Sequence, residues 1–384
     1  MFDFTIISYP GPRSQSLLSL TENRSRYMIP FGGRFRIIDF TMRNSRSSGA
    51  KNTIIYSDCE DDLAAYVNAY HDSEMDDSMT VVTGEFSDIS FCHDLIRDSH
   101  SDYYVIYNGD SPSIIDFNEI IKKFKTRKRE AQLFKLNVDK RPSMAYKVLV
   151  TNRKTLLRVL RDAVRSNRTS PNIFEMVINT LVNSGISTSN FNARYWPINN
   201  LPEYYELTRR TIWDPEIFDL LYREKIIESH IMAEGDAEVG RRASVVNSFV
   251  SDSCVIHGKV ENSVLYPGVY IGEDTIIRDS ILLPNVRIDR GARITRSIID
   301  EGAVQAEWSG MCNIGNSCRI GSEEQNVKND DYPGYLYSSI TLIGKGSTIP
   351  EGSNIGAACY VASGLGQDYF SRKKYLYDGT SVIQ

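Results

Sequence analysis

Residues 341–358 read TLIGKGSTIPEGSNIGAA, with Ile343, Ile349 and Ile355 six positions apart and a glycine after the first and last of them. A six-residue aliphatic period is too long for a helix or a strand, and it is the hexapeptide signature of a parallel β-helix. In such a fold each triangular coil takes ~18 residues, and one inward aliphatic side chain per face stacks on its neighbours into a continuous core. Burying each one is worth about 1.5–3 kcal/mol before entropy is counted, so a stack is stable where one coil is not.

Working back towards the N-terminus, the same rhythm appears at Ile271-Gly272 and Ile277, at Ile288 and Ile294, and at Ile314-Gly315 and Ile320-Gly321. It begins near Asp236. The interval shortens to five from Ile294 to Ile299 to Val304, which predicts imperfect corners. The polar stretch SEEQNVKNDDYPGYLY (322–337) interrupts the repeat and reads as a loop leaving the stack.

Before residue 150 the pattern is different. The apolar runs FTIISY, NTIIYS, MTVVTG, YYVIYNGD, AQLFKLNV and AYKVLVTN are spaced by helical stretches, which predicts an α/β domain with a mostly parallel sheet covered on both faces. Asp116 with Glu119 three residues on marks one helix start, and Asp214 before Pro215 marks another. The expected organisation is an α/β domain over 1–205, a helical connector over 206–235, a β-helix over 236–366 and a tail over 367–384.

With 384 residues, 41% hydrophobic and 24% charged, the chain is long enough for two cores. The net charge of −5 argues against nucleic acid, whose phosphates demand a basic face, but leaves small phosphorylated molecules open. Six cysteines form no CxxC pair and five histidines no HExxH, so neither zinc nor a disulfide framework is indicated, and a reducing cytosol is the expected compartment. No basic leader followed by a long apolar run is present, so the chain is expected to be neither secreted nor membrane-spanning.

The most specific block is IPFGGRFRIIDFTMRNSRSSGAKN (29–52), preceded by Leu20, Thr21 and Arg24. Together with YYVIYNGDSPSIIDF, SMAYKVLVTN, ARYWPINNLPEYYEL and the hexapeptide repeats, it resembles the glucose-1-phosphate adenylyltransferases, also called ADP-glucose pyrophosphorylases, over nearly the whole chain. The resemblance implies a Rossmann-like nucleotidyltransferase domain followed by a left-handed β-helix. It also implies ATP and glucose 1-phosphate as substrates and a magnesium ion between two aspartates.

Several positions depart from the family pattern. The phosphate loop of type GGxGxRL keeps Gly11, but Pro12 and Ser14 replace two glycines and Ser16 stands where the arginine belongs; Pro12 has no N–H to donate. Arg13 survives, either to touch a phosphate or as a solvated loop side chain. Asn108, Gly109 and Asp110 supply the "GD" pair for the metal, though Asp110 also fits as a turn residue. After Tyr195 and Trp196, Ile198 takes the place of the second aspartate. The lysine-bearing EKP segment shrinks to DKRPSM, with Lys140 and Arg141 as a remnant, and the family's GTADA segment has no counterpart between Gly84 and Asp102.

Those losses resemble the GlgD-type partner subunit of bacterial glycogen biosynthesis, which implies a regulatory, catalytically impaired chain beside a catalytic homologue in a hetero-oligomer, or self-association. Magnesium is then expected only if nucleotide still binds. What carries over is a vestigial nucleotide and sugar-phosphate site (Gly11, Arg13, Gly109, Asp110) and an anion or effector region at Arg24, Arg26, Arg34 and Arg36. The same arginines read equally well as partners of Glu22 and Asp39. The alternatives are an active sugar-phosphate nucleotidyltransferase with Asp110 as magnesium ligand and Arg13 as phosphate clamp, or a β-helix acyltransferase at His257 or a structural oligomer-former. The basic KKFKTRKRE (122–130) and the acidic runs SDCEDDLAAYVN and DSEMDD read as solvated faces.

Overall fold

In the computed structural model, residues 3–11, 15–57, 59–71, 78–83, 89–127, 129–138, 141–166, 170, 172–229, 235–302, 314–324, 326–370 and 374–383 are described. The chain divides into two units: one holds Met1–Arg13, Arg24–Ile29 and Arg36–Pro197, and the other Ser14–Asn23, Pro30–Phe35 and Ile198–Gln384.

The first unit is built on seven long strands: β1 (Phe4–Tyr9), β2 (Asn52–Ser57), β3 (Ser78–Thr83), β4 (Tyr103–Asn108), β5 (Ala131–Val138), β6 (Arg141–Asn152) and β7 (Ser187–Phe191). They lie in the order β7-β5-β6-β4-β1-β2-β3. Every pairing is parallel except the two made by β6, which runs antiparallel to both β5 and β4. The mostly parallel sheet expected from the sequence is therefore present, with one reversed strand. That reversal follows from the sequence spacing, since only two residues separate Val138 from Arg141 and neighbouring strands joined by so few can only pair antiparallel.

Helices cover both faces of this sheet. Ile7, Tyr9, Ile54, Tyr56 and Leu133 pack with Leu156, Phe174 and Val177 on one side, while Ile6, Val105, Phe134 and Val148 pack with Phe117, Ile120 and Phe124 on the other. The expected helix starts are both present: the Asp116 carboxylate accepts the Glu119 N–H at 3.0 Å, and that of Asp214 accepts the Glu216 N–H at 3.0 Å.

In the second unit, short parallel strands recur three to a coil and stack into three sheets. The isoleucine rhythm is the stacking itself: Ile277 lies opposite Ile294, Ile294 opposite Ile320, and Ile320 opposite Ile355. A second face stacks Ile256, Ile271 and Ile288, continued through Ile314 and Ile349. On the third face both alternating positions are buried, as at Ile281–Leu282 and Ile298–Ile299. Helix Leu201–Trp213 packs on this side, its Tyr205 hydroxyl donating to the Asp279 carbonyl and Arg209 Nη2 to Asp279 Oδ1 at 2.7 Å.

Val304, part of the irregular interval, lies outside the described residues. The polar stretch 322–337 forms no strand among its described residues but folds back on the stack, where buried Asn329 donates to the carbonyls of Ala358 and Gly379, each at 2.9 Å. Strands at Tyr375–Leu376 and Ser381–Val382 carry two faces one coil further, into the stretch set apart from the sequence as a tail.

Close passage of the coils makes some glycines obligatory. At Gly321 (φ 73°) an added Cβ would lie 1.9 Å from the Thr295 carbonyl oxygen, so Gly321→Ala is expected to lower the urea midpoint well beyond Gly334→Ala, where nothing lies within 4 Å. Equal midpoints for the two variants would contradict the stacking described.

Candidate functional site

Residues at the carboxyl ends of β1 and β4 meet where ligands bind in open α/β sheets. Gly109 follows β4, and a Cβ there would stand 2.0 Å from Ser8 Oγ and 2.9 Å from Thr41 Oγ1. Only glycine lets the chain pass β1 this closely. The network beneath is well joined: Ser8 Oγ lies 2.7 Å from the Tyr27 hydroxyl, and the Tyr107 hydroxyl donates to Thr41 Oγ1 at 3.0 Å. Burial pushes the Tyr107 hydroxyl up to about 12, so it stays a neutral donor.

Asp110 comes next, its side chain only 4% exposed. One oxygen, Oδ2, accepts the Gly11 N–H at 2.7 Å and lies 3.1 Å from Arg26 Nε. Asn108 Oδ1 accepts the Asp110 N–H at 3.0 Å and fixes the turn. Thus the glycine that the phosphate loop retains spends its N–H on a carboxylate of the same chain. Arg26, from the expected effector region, neutralises that carboxylate. A buried charge must be paired in this way, because an unpaired one costs several kcal/mol.

Whether this set suits the expected magnesium ion follows from its chemistry. A guanidinium stands within ion-pairing distance of Asp110 Oδ2, so a divalent cation could take that oxygen only by displacing Arg26, and at Oδ1 it would bind a carboxylate whose charge Arg26 already offsets. With its one carboxylate already paired and Ile198 at the position of the second, the set fits a two-carboxylate metal site poorly. Among the described residues, no group of three or more His, Cys, Asp or Glu side chains is placed to hold one.

Strand Arg194–Tyr195 pairs antiparallel with Ser113–Ile114, and the Trp196 N–H donates to the Pro112 carbonyl at 3.0 Å, so the expected second metal segment does run beside the Asp110 turn. Burial, and then the Asp110 carboxylate, hold the Tyr195 hydroxyl well above its ordinary range. Ile198 is buried at 1% exposure.

The remaining expected residues are dispersed. Arg24 is buried; Arg34 Nη1 lies 3.3 Å from Asp252 Oδ2; Arg36 donates through Nη1 to the Met28 carbonyl and lies over the Tyr66 ring at 5.9 Å. Glu22 accepts the Ser363 N–H at 3.2 Å. Arg13 and Lys140 lie outside the described residues, as does the side chain of Arg141, the first residue of β6. His257 lies on a β-helix coil, its ring edge-on to Tyr270 at 5.9 Å.

Sequence reading missed one cluster. The Tyr9 hydroxyl donates to Glu175 Oε1 at 2.6 Å, and Lys147 Nζ lies 3.0 Å from Glu175 Oε2. Asn172, which caps helix Ile173–Asn183, also donates to the Pro10 carbonyl at 3.2 Å and so anchors the segment after β1. The Asn172-to-Glu175 spacing was a visible cap signal; its long-range contacts to Tyr9 and Pro10 were not.

Residues 233–329 match a family model described as GlmU-like, C-terminal hexapeptide. Proteins named glucose-1-phosphate adenylyltransferase are similar over most of the chain. One from Clostridium perfringens strain 13 is 22% identical over 73% of this chain and 83% of its own; one from Desulfitobacterium hafniense strain DCB-2 is 24% identical over 90% and 94%. A third, from Pseudothermotoga lettingae, is 24% identical over 95% of both.

Asp39, within the most specific block, offers a measurable pH signature. It accepts the Arg36 N–H at 2.9 Å and the Tyr66 O–H at 2.8 Å, yet burial outweighs these donors and pushes its carboxyl from 3.8 up to about 7. The folded chain therefore keeps this proton over a range where the unfolded chain has released it. The stability it contributes is complete below pH 3.8 and is lost as pH rises to about 7, by at most about 1.4 kcal/mol per pH unit. Asp39→Asn is expected to flatten urea stability against pH across that window; an unchanged slope would contradict the assignment.

Proposed function

We propose that this chain is a regulatory, catalytically impaired subunit of glucose-1-phosphate adenylyltransferase, which converts ATP and glucose 1-phosphate to ADP-glucose and diphosphate in glycogen biosynthesis. It acts in the cytosol, in a hetero-oligomer beside a catalytic homologue, as a GlgD-type subunit does. The two-domain framework and the relatives named above support the nucleotidyltransferase part of this reading.

The observation that carries the impaired part is the engagement of Asp110. Adenylyl transfer asks a protein for positioning and for charge aimed at the phosphates. Here the loop N–H of Gly11 donates to a carboxylate of the chain itself, and the Arg26 guanidinium stands beside it as its counter-charge. A triphosphate would have to displace that carboxylate from the Gly11 N–H, and a metal on the same oxygen would have to displace Arg26. Pro12 donates nothing, and Ile198 replaces the second metal carboxylate. Losing one preorganised electrostatic group costs about 10²–10³ in rate, and although such losses do not simply add, several together leave little turnover.

A chain that keeps the framework and gives up the chemistry retains surfaces through which a catalytic homologue can be sensed and set. Phosphorylated sugars are the class of effector such an assembly would read.

The test is co-expression with a catalytic glucose-1-phosphate adenylyltransferase followed by size-exclusion chromatography and assay. The expected result is a mixed complex whose activity or effector response exceeds that of the catalytic chain alone. Turnover by this chain alone should be at least about 10²-fold below its partner's. Absence of a complex, or comparable turnover by this chain alone, would overturn the proposal.

A further inference from the structure

The first coils of the β-helix carry a groove of about 410 Å³, within the size range of small-molecule sites. Glycines form part of its wall. A Cβ on Gly240 would lie 2.7 Å from His257 Nδ1, and one on Gly258 would lie 2.5 Å from the Thr275 carbonyl oxygen. The wall at Gly258 is thus set by backbone passing backbone, and at Gly240 by the close approach of the His257 ring.

Four cations and two carboxylates line it, Arg241, Arg242, Lys259 and Arg290 against Glu273 and Asp274, so positive charge is in excess. Arg241 and Arg242 occupy the two central positions of a turn closed by the Ala243 N–H on the Gly240 carbonyl at 2.9 Å, which projects both side chains from its tip. Lys259 stands on the next coil, in register with Ser244 on one side and Ile276 on the other. Among the described residues, no carboxylate lies within ion-pairing distance of these three cations. Arg290, which also lines the groove, is instead held by Asp274 Oδ2 at 2.7 and 3.0 Å, with the Glu273 carboxylate as a further charge acting on it.

The ladder that starts at Lys259 continues through Ile276 to Arg293 and then Arg319, which lie directly opposite one another on neighbouring parallel strands. Strands in a sheet are spaced about 4.8 Å apart, and like charges facing across that gap are destabilising. Neither arginine has a carboxylate partner among the described residues. The adjoining ladder on the same strands is matched: Glu261 faces Arg278, which pairs with it at 3.3 Å and with Glu323 at 3.1 Å. One column of the β-helix is neutralised internally, and the column beside it is left positive, its Lys259–Ile276 end lining the groove and its Arg293–Arg319 end lying beyond it.

We propose that this groove is a binding site for a small phosphate-bearing anion, ligated by Arg241, Arg242 and Lys259, with the Arg293–Arg319 row receiving a second anionic group. Phosphate suits the arrangement because its oxygens accept from several separate donors at once, and arginine offers paired N–H groups in a fixed fork. An extended nucleic acid suits it poorly, since the chain as a whole carries a net charge of −5. The site is separate from the Asp110 turn, and its existence does not depend on whether that turn supports catalysis.

Isothermal titration of inorganic pyrophosphate into the full chain, without magnesium and at low salt, tests the site. The expected result is saturable one-to-one binding that becomes about tenfold to a hundredfold weaker in Arg241→Gln/Arg242→Gln and in Lys259→Gln. The double variant Arg26→Gln/Asp110→Asn, which removes the Asp110 pair without leaving a buried charge unpaired, should leave it unchanged. All three groove cations are exposed, so their replacement spares the core. Binding that survives both groove variants, binding lost with Arg26→Gln/Asp110→Asn instead in a chain that still folds by circular dichroism, or no saturable binding by the unaltered chain would each overturn the proposal.

Discussion

The ion pair between Asp110 and Arg26 is the constraint on which the reading of the first unit turns. A carboxylate at the end of an interior strand has to be paired or solvated, because burial in a low-dielectric site makes an isolated charge costly. This chain solves the problem internally, with one backbone donor and one guanidinium on the same oxygen. In a working nucleotidyltransferase site the same requirement would be met by metal and substrate. The proposed loss of chemistry therefore does not need a collapsed pocket: it follows from which partner neutralises one side chain. The close passage at Gly109 and the hydroxyl network under it hold that arrangement in place.

In the second unit the governing constraint is the rung-by-rung stacking of inward isoleucines. Because inward positions are spoken for by the core, chemistry can vary only on the outward columns. Two such columns lie side by side, one closed by Glu261 and Arg278 and the other carrying Lys259 and, beyond Ile276, the facing pair Arg293 and Arg319. A repeat fold repeats its errors, so a like-charged rung that is not neutralised carries information about what the surface meets.

Much of this was legible in the sequence, and the exceptions have physical reasons. FTIISY and NTIIYS match β1 and β2 to the residue, because interior parallel strands are continuous apolar runs with polar ends. By contrast β6 starts at Arg141, four residues before the run AYKVLVTN, and pairs Pro142 with Asn137. A proline disfavours a strand reading, and only the hairpin with β5 overrides it. The hexapeptide period located the β-helix, whereas the fold-back of 322–337 through Asn329 was hidden, since one buried amide leaves no periodic trace. At the site, the "GD" pair pointed to Asp110. Its pairing with Arg26, and the contact of Tyr9 with Glu175, join segments far apart in sequence that no local pattern links.

The central claim is that the chain's own groups satisfy the Asp110 turn in place of metal and nucleotide. Its most direct test is isothermal titration of ATP with magnesium into the purified chain, compared with the same titration without magnesium. The account predicts no magnesium-dependent, saturable binding. Tight binding that requires magnesium and disappears in Asp110→Asn would contradict it, because the carboxylate would then be a metal ligand rather than the partner of Arg26.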